Sequence, residues 1–312
     1  MTGLLVTAGQ ASAVGSHPGA VPAPGCAGAS VAAPPQPGSA AAKSGSLAGL
    51  YAMAEKHHAT WLTSMSCTLV RHNHALAPGS KRNTATSATA YSTYNWSGYQ
   101  VNDVPAFTTG EWSVPTVIVP QPPTSSINRY YSATWVGDGG GINSGSGALV
   151  QAGTEQDVIN GVGQYYAWYE VVGGTGDTGS ELVLNNLTIH PGDAIWTGIQ
   201  YPAGPGNAYL GVCDMTLNTC ASLNVPTSAV GNSAEWIMEA PTVGGVTAPL
   251  PNYGTVNFTG ACSYMVWPNG TCSPISAGTA PAQIQLVSAT GQPLSVPGPL
   301  NSAGTGFTTS FL

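Results

Sequence analysis

From Tyr91 to the C-terminus, apolar and polar residues alternate in short runs, each closed by Gly, Pro, Asn or Asp. In Ala234–Glu239 this places Glu235, Ile237 and Glu239 on one face and Trp236 and Met238 on the other, because successive strand side chains point to opposite sides. Similar runs cover Tyr94–Val101, Gly110–Val117, Ser132–Val136, Ala148–Gly153, Tyr165–Val172, Glu181–Ile189, Ala194–Tyr201, Gly254–Phe258, Ala282–Val287 and Gly306–Phe311. About eleven strands with turn residues between them, and no body helix, predict an all-β fold, an antiparallel sandwich of two curved sheets. The pattern before Tyr91 is different. Residues 14–46 are rich in Ala, Pro, Gly and Ser and are expected to be extended and disordered. Leu47, Leu50, Tyr51, Ala54, His58 and Trp61 then recur at steps of three and four, which predicts one short amphipathic helix.

Charge divides the chain at the same place. Lys43, Lys56, Arg71, Lys81 and Arg82 lie in residues 1–82 with one acid, Glu55, a net charge of +4. Residues 83–312 hold Arg129 and the other 12 acids, a net charge of −11 with His neutral. Five of the six histidines also precede residue 83. A body with so few bases gains little positive charge in acid and has few ion pairs for protonation to break. The division predicts a signal-peptide remnant at 1–13, a basic prosegment at 14–88 and a β-sandwich domain at 89–312. The polar stretch from His74 to Ala90, with Lys81-Arg82, is the natural place for proteolytic release. The leader is then expected to act as an intramolecular inhibitor, attracted to the body near neutrality and freed as the carboxylates protonate.

Composition narrows the function further. The body lacks the cations needed to neutralise phosphates, which argues against a nucleic-acid partner. No apolar run reaches the ~18–20 residues of a membrane span. Leu4-Leu5-Val6 followed by Ala11-Ser12-Ala13 resembles the end of a secretory signal. The six cysteines fit export as structural staples. Cys213 and Cys220 enclose six residues and Cys262 and Cys272 enclose nine, leaving Cys26 and Cys67 in the leader. Fifteen connectivities are formally open to six cysteines. No spacing resembles a zinc site, since the one body histidine, His190, is far from any Cys pair, so neither metal nor cofactor is expected. His190 precedes the turn Pro191-Gly192-Asp193 and reads as structural. Carboxylates and amides remain to carry chemistry. Glu235 and Glu239 are ~13 Å apart at strand rise, too far to act as one acid/base pair.

Six segments in order resemble those of the glutamic peptidases, the eqolisin family of acid endopeptidases. They are Asn95-Trp96-Ser97-Gly98, Glu111–Pro115, Trp135-Val136-Gly137, Leu149–Gly153, Tyr166–Glu170 and Ala234–Glu239. The resemblance covers residues 94–240 and implies a secreted acid endopeptidase, made as a zymogen, acting on protein or peptide substrates and monomeric. It implies Glu239 as general base and then acid on a water, and Gln151 as the amide that stabilises the oxyanion. Trp96, Trp135, Glu170 and Asp138 are implied in substrate binding. Two departures concern the surrounding carboxylates. Asp138 directly follows Gly137, one position earlier than in the family, and faces differently; Tyr166 stands where the family has Asp. Two other readings use the same residues: a glycoside hydrolase with Glu170 and Glu239 as its carboxylate pair, and a non-catalytic binding module of lectin type.

Overall fold

The computed structural model of the chain describes residues 21–32, 52, 55–56, 58–79, 81–83, 90–142, 147–201, 206–264 and 271–312. Five strands matter most and are labelled in chain order: β1 (Trp96–Val101), β2 (Ala133–Gly139), β3 (Leu149–Ile159), β4 (Val162–Val172) and β5 (Ala234–Glu239). They pair antiparallel in the spatial order β1-β5-β2-β3-β4. Leu182–Leu184 extends the sheet beyond β4, and Ala282–Val287 extends it beyond β1. A second sheet joins Phe107–Ser113, Ala194–Gln200, Gly206–Asp214 and Thr219–Thr227 in that order. Thr255–Tyr264 serves both sheets. Its first half pairs with Phe307–Phe311 and its second with Phe107–Ser113, switching at an irregularity between Thr259 and Cys262.

The sheets bury one core between them. Val136, Val150, Ala152, Trp236 and Met238 from the first share it with Ile195, Ile199, Leu210 and Val212 from the second. Polar groups of the inner faces are paired across the core: Trp236 Nε1 donates to the Thr109 carbonyl at 2.7 Å, and Trp112 Nε1 to Thr154 Oγ1 at 3.1 Å. With Trp236 and Met238 inside, alternation turns Glu235, Ile237 and Glu239 to the outer face. That face is itself apolar, a buried cluster of Trp96, Trp135, Trp168, Ile237 and Ile284. An apolar face of this size must be covered, and leader residues lie over it.

The all-β fold expected from alternation is present, with Ala282–Val287 reproduced to the residue. The hairpin Gly206–Asp214 and Thr219–Thr227 is an addition, and the Glu181–Ile189 run shortens to Leu182–Leu184. The three disulfides are Cys26–Cys67, Cys213–Cys220 and Cys262–Cys272. No helix among the described residues is long and apolar enough to cross a membrane.

The leader departs from expectation. Residues 21–32, expected to be disordered, hold a hairpin of Val21–Pro22 and Ser30–Val31 whose Ala23, Cys26, Ala29 and Val31 are buried. Burial of these small side chains against the second sheet is what a composition count overlooks, and the rest of 14–46 lies outside the described residues. Ser30–Val31 and Thr60–Trp61 both pair with Thr219–Thr227, so Trp61 ends on a strand rather than in the expected helix. Ala52, Glu55 and Lys56 are helical, and most of the remaining helix positions fall outside the described residues. Cys67–Leu69 pairs with Leu182–Leu184, and His72–Asn73 with Thr242–Val243. Lys81-Arg82, expected in a loop, lies on the strand Lys81–Asn83, paired with Ala90–Thr93.

Candidate active site

Register on the outer face sets the site. One cross-strand row contains Glu235, Gly137, Gln151 and Glu170; the row four residues along contains Trp96, Glu239, Ala133, Glu155 and Tyr166. Gly137 is required by the indole of Trp135, which folds back over it: a methyl there would sit 2.5 Å from Trp135 Cζ3. The same indole donates from Nε1 to Glu239 Oε2 at 2.7 Å. Gly137→Ala should therefore cost about 1–3 kcal/mol through overpacking, read as a lower midpoint of denaturant unfolding. An unchanged midpoint would mean that the indole can move aside freely.

Glu239 is fully buried and held from several sides. Asn95 Nδ2 donates to Oε1 at 2.9 Å, while Trp135 Nε1 and the His74 ring Nδ1, at 3.2 Å, meet Oε2. Burial raises its pKa, opposed by the positive charge and hydrogen bond of His74 and by the Trp135 and Asn95 donors. Gln151 Nε2 donates to Glu170 Oε2 at 3.1 Å, and its Oε1 is buried without a donor. Burial pushes Glu170 up to about 7 against the lowering effect of His74. Glu170 also accepts from the backbone N–H of His74 at 2.9 Å and from Asn73 Nδ2 at 2.8 Å. Leader residue 74 thus links Glu239 on one side to the Gln151–Glu170 pair on the other. Its imidazole stacks on Trp168, with centroids 3.9 Å apart and planes at 11°.

Gln151 meets Glu170 and Trp135 meets Glu239, but Gln151 and Glu239 do not touch: they lie in rows four residues apart, bridged by Glu170 and His74. Trp96 is wholly buried edge-on against Trp135 at 5.0 Å, so in the leader-bearing chain it packs beneath the site. Asp138 does not join them. It points between the sheets, where its Oδ2 accepts from Thr108 Oγ1 at 3.1 Å, and burial followed by repulsion from Glu235 raises its pKa well above the usual range. One step along a strand is enough to exclude it from the outer face. His190 lies at the expected turn, where its backbone N–H donates to Asp193 Oδ2 at 2.7 Å.

Several participants escaped the sequence reading. Asn95 lay inside a quoted motif without being assigned a role. Glu155 and Asp157 share the face of Gln151 by simple alternation, a signal that was available. Glu181 and the leader residues His72, Asn73 and His74 gave no local signal. Tyr166, in place of a carboxylate, donates its hydroxyl to Glu181 Oε1 at 2.7 Å. Two groups, His72–Glu155–Asp157 and His74–Glu155–Glu181, gather nitrogen and oxygen atoms within 4.8 Å of one another.

Among solved structures, scytalido-glutamic peptidase bound to a transition-state analogue aligns with a TM-score of 0.56 at 17% identity, covering 70% of this chain and 98% of that one. SCP-B, described as a member of the eqolisin family in complex with the tripeptide Ala-Ile-His, aligns with a TM-score of 0.53 at 19% identity, over 70% of this chain and 98% of that one. At such identities the likeness is one of fold. No curated protein matches the chain. The peptidase A4 family model matches residues 94–292, which span every strand of the site. This chain belongs to the peptidase A4 family, and it is a glutamic endopeptidase.

Proposed function

We propose that the chain is a secreted acid peptidase zymogen whose body cleaves peptide bonds with Glu239 and Gln151. The observation that carries this reading is the position of leader residue 74 between Glu239 and Glu170, the partner of Gln151, where a substrate chain would lie. With the leader gone, a water takes the place of the His74 ring beside Glu239. Glu239, in its ionised form, removes a proton from that water as it attacks the scissile carbonyl. The Gln151 Nε2–H, oriented by Glu170, donates to the oxyanion, and an amide keeps this role in acid because it does not titrate there. Protonated Glu239 then gives its proton to the departing amine. Asn95 and Trp135 fix the carboxylate so that it need not reorganise between the two steps.

Membership of a peptidase family overturns the glycoside hydrolase and lectin-like readings, and Glu170 is instead the partner of the Gln151 amide. Three disulfides support secretion, and the monomeric state follows the resemblance alone. The test is digestion of an acid-denatured protein at about pH 3–4, with pepstatin present, by the processed chain and by the same chain with its leader uncut. Turnover by the first and not the second supports the reading; turnover by neither sinks it. Within the uncut chain, His74→Ala should raise hydrolysis of a short peptide at least about tenfold, because a buried ion pair and an aromatic stack that hold the leader in place are lost. An unchanged rate would show that residue 74 does not obstruct the site.

A further inference from the structure

Beside Glu239 lies a cluster that the proposed chemistry leaves unused. Glu155 and Asp157 occupy alternate positions of β3 and face the leader side, fully or almost fully buried. Both oxygens of Glu155 and Oδ1 of Asp157 have no hydrogen-bond donor. Glu181 completes three buried carboxylates around the His72 ring. Each is expensive to bury alone, and together they repel unless something positive lies between them.

We propose that this cluster binds one divalent transition ion of the zinc class, clamping the leader to the body through His72. His72 Nδ1 lies 3.4 Å from Glu155 Oε1 and 3.2 Å from Glu181 Oε1. An ion with bonds of about 2.0–2.1 Å in tetrahedral geometry requires ligand–ligand separations of about 3.3–3.4 Å. The two separations from the His72 nitrogen are close to that value. Asp157 belongs to the same gathering, with its ligand atom within 4.8 Å of those of His72 and Glu155. One imidazole nitrogen with carboxylate oxygens suits zinc better than calcium or magnesium, which prefer all-oxygen shells.

The surroundings are those of a ligand shell. Glu181 Oε2 pairs with His74 Nε2 at 2.9 Å, and Glu155 Oε2 lies 3.9 Å from the same nitrogen. The Tyr166 hydroxyl donates to Glu181 Oε1. Glu181 is thus held by neighbours at both oxygens, which fixes the direction of its carboxylate, while both oxygens of Glu155 remain without a donor. A body with a single histidine offers no metal spacing of its own. The leader supplies the missing nitrogen, 83 residues from Glu155 in sequence.

The experiment uses the full leader-bearing chain at pH 7, stripped with chelator and titrated with zinc chloride by calorimetry, with metal content then measured by mass spectrometry after dialysis. Wild type is expected to retain one zinc per chain and to melt at higher temperature with zinc than with chelator. His72→Gln and Asp157→Asn, each close in shape to the original, should weaken binding by about 10–100-fold and remove the thermal shift. If one of the two fails to show its own melting transition in chelator, the other is read. Absence of saturable binding up to millimolar zinc overturns the proposal and leaves a shared proton holding Glu155 to Asp157. Binding that neither variant alters overturns it equally. None of these readings depends on peptide turnover, so the site can fail while the peptidase reading stands, and the reverse.

Discussion

Replacing Glu239 by Gln should lower kcat of the processed enzyme by about 10³–10⁴-fold while leaving the fold intact. Gln has the same shape, and its side-chain oxygen can still accept from Trp135 Nε1 or Asn95 Nδ2, the two donors that now hold Glu239. It cannot take a proton from water. A loss of that size corresponds to about 4–5 kcal/mol of transition-state stabilisation. Gln151→Ala removes one oxyanion donor and should cost about 10²–10³-fold. The double variant should be little worse than Glu239→Gln alone, because the two groups serve one step. Sheet register supplies a sharp alternative, since Gln151 shares its cross-strand row with Glu235 and not with Glu239. If Glu235→Gln proved inactive while Glu239→Gln turned over at more than about a tenth of the wild-type rate, the base would be Glu235 and the mechanism would need rewriting.

The second large effect concerns stability. Burial pushes Glu235 up to about 8, and Asp138 is raised as well, by burial and then by the charge of Glu235. Below the ordinary carboxylate pKa, near 4.5, both the folded and the unfolded chain hold the Glu235 proton and its contribution is complete. Above that value the unfolded chain releases the proton while the folded chain keeps it, so stability declines until the pH passes about 8. At about 1.4 kcal/mol per unit, the ceiling is about 5 kcal/mol over this window. Denaturant midpoints measured from pH 4 to pH 8 should fall, and Glu235→Gln should flatten much of the fall. A wild-type midpoint that rose across this range would refute the assignment. The expected enzyme is most stable in acid, the opposite of proteins whose carboxylates are salt-bridged.

How far the sequence leads depends on whether a feature is local. The alternation Glu235-Ile237-Glu239 against Trp236-Met238 is a property of one strand, and it correctly assigned the two faces. The shift of Asp138 by one position was equally legible, and it does point away from the site. The hairpin Gly206–Asp214 and Thr219–Thr227 was overlooked, although Cys213 and Cys220, legible as a closely spaced pair, lie directly opposite one another in its ladder. Gln151 and Glu239 were proposed from ordered motifs rather than from alternation, which marks a face without marking a role. His74 could not be found by either route. Its contact with Glu239 spans 165 residues, and nothing around it distinguishes it from the other leader histidines.

The leader is woven into both sheets, by Ser30–Val31 and Thr60–Trp61 at Thr219–Thr227 and by Cys67–Leu69 at Leu182–Leu184. The Cys26–Cys67 bridge staples these segments together, so a single backbone cut near residue 82 leaves them docked. Their departure, if the chain matures as proposed, must unzip the segments as one unit. It then bares rows of backbone N–H and C=O groups on two strands, the kind of open border that recruits another chain. The leader therefore also serves as selvedge to the fabric. On that proposal a freshly stripped enzyme would face a colloidal hazard that its precursor is spared, and dilution or rapid dispersal after maturation would become part of how this protein stays in solution.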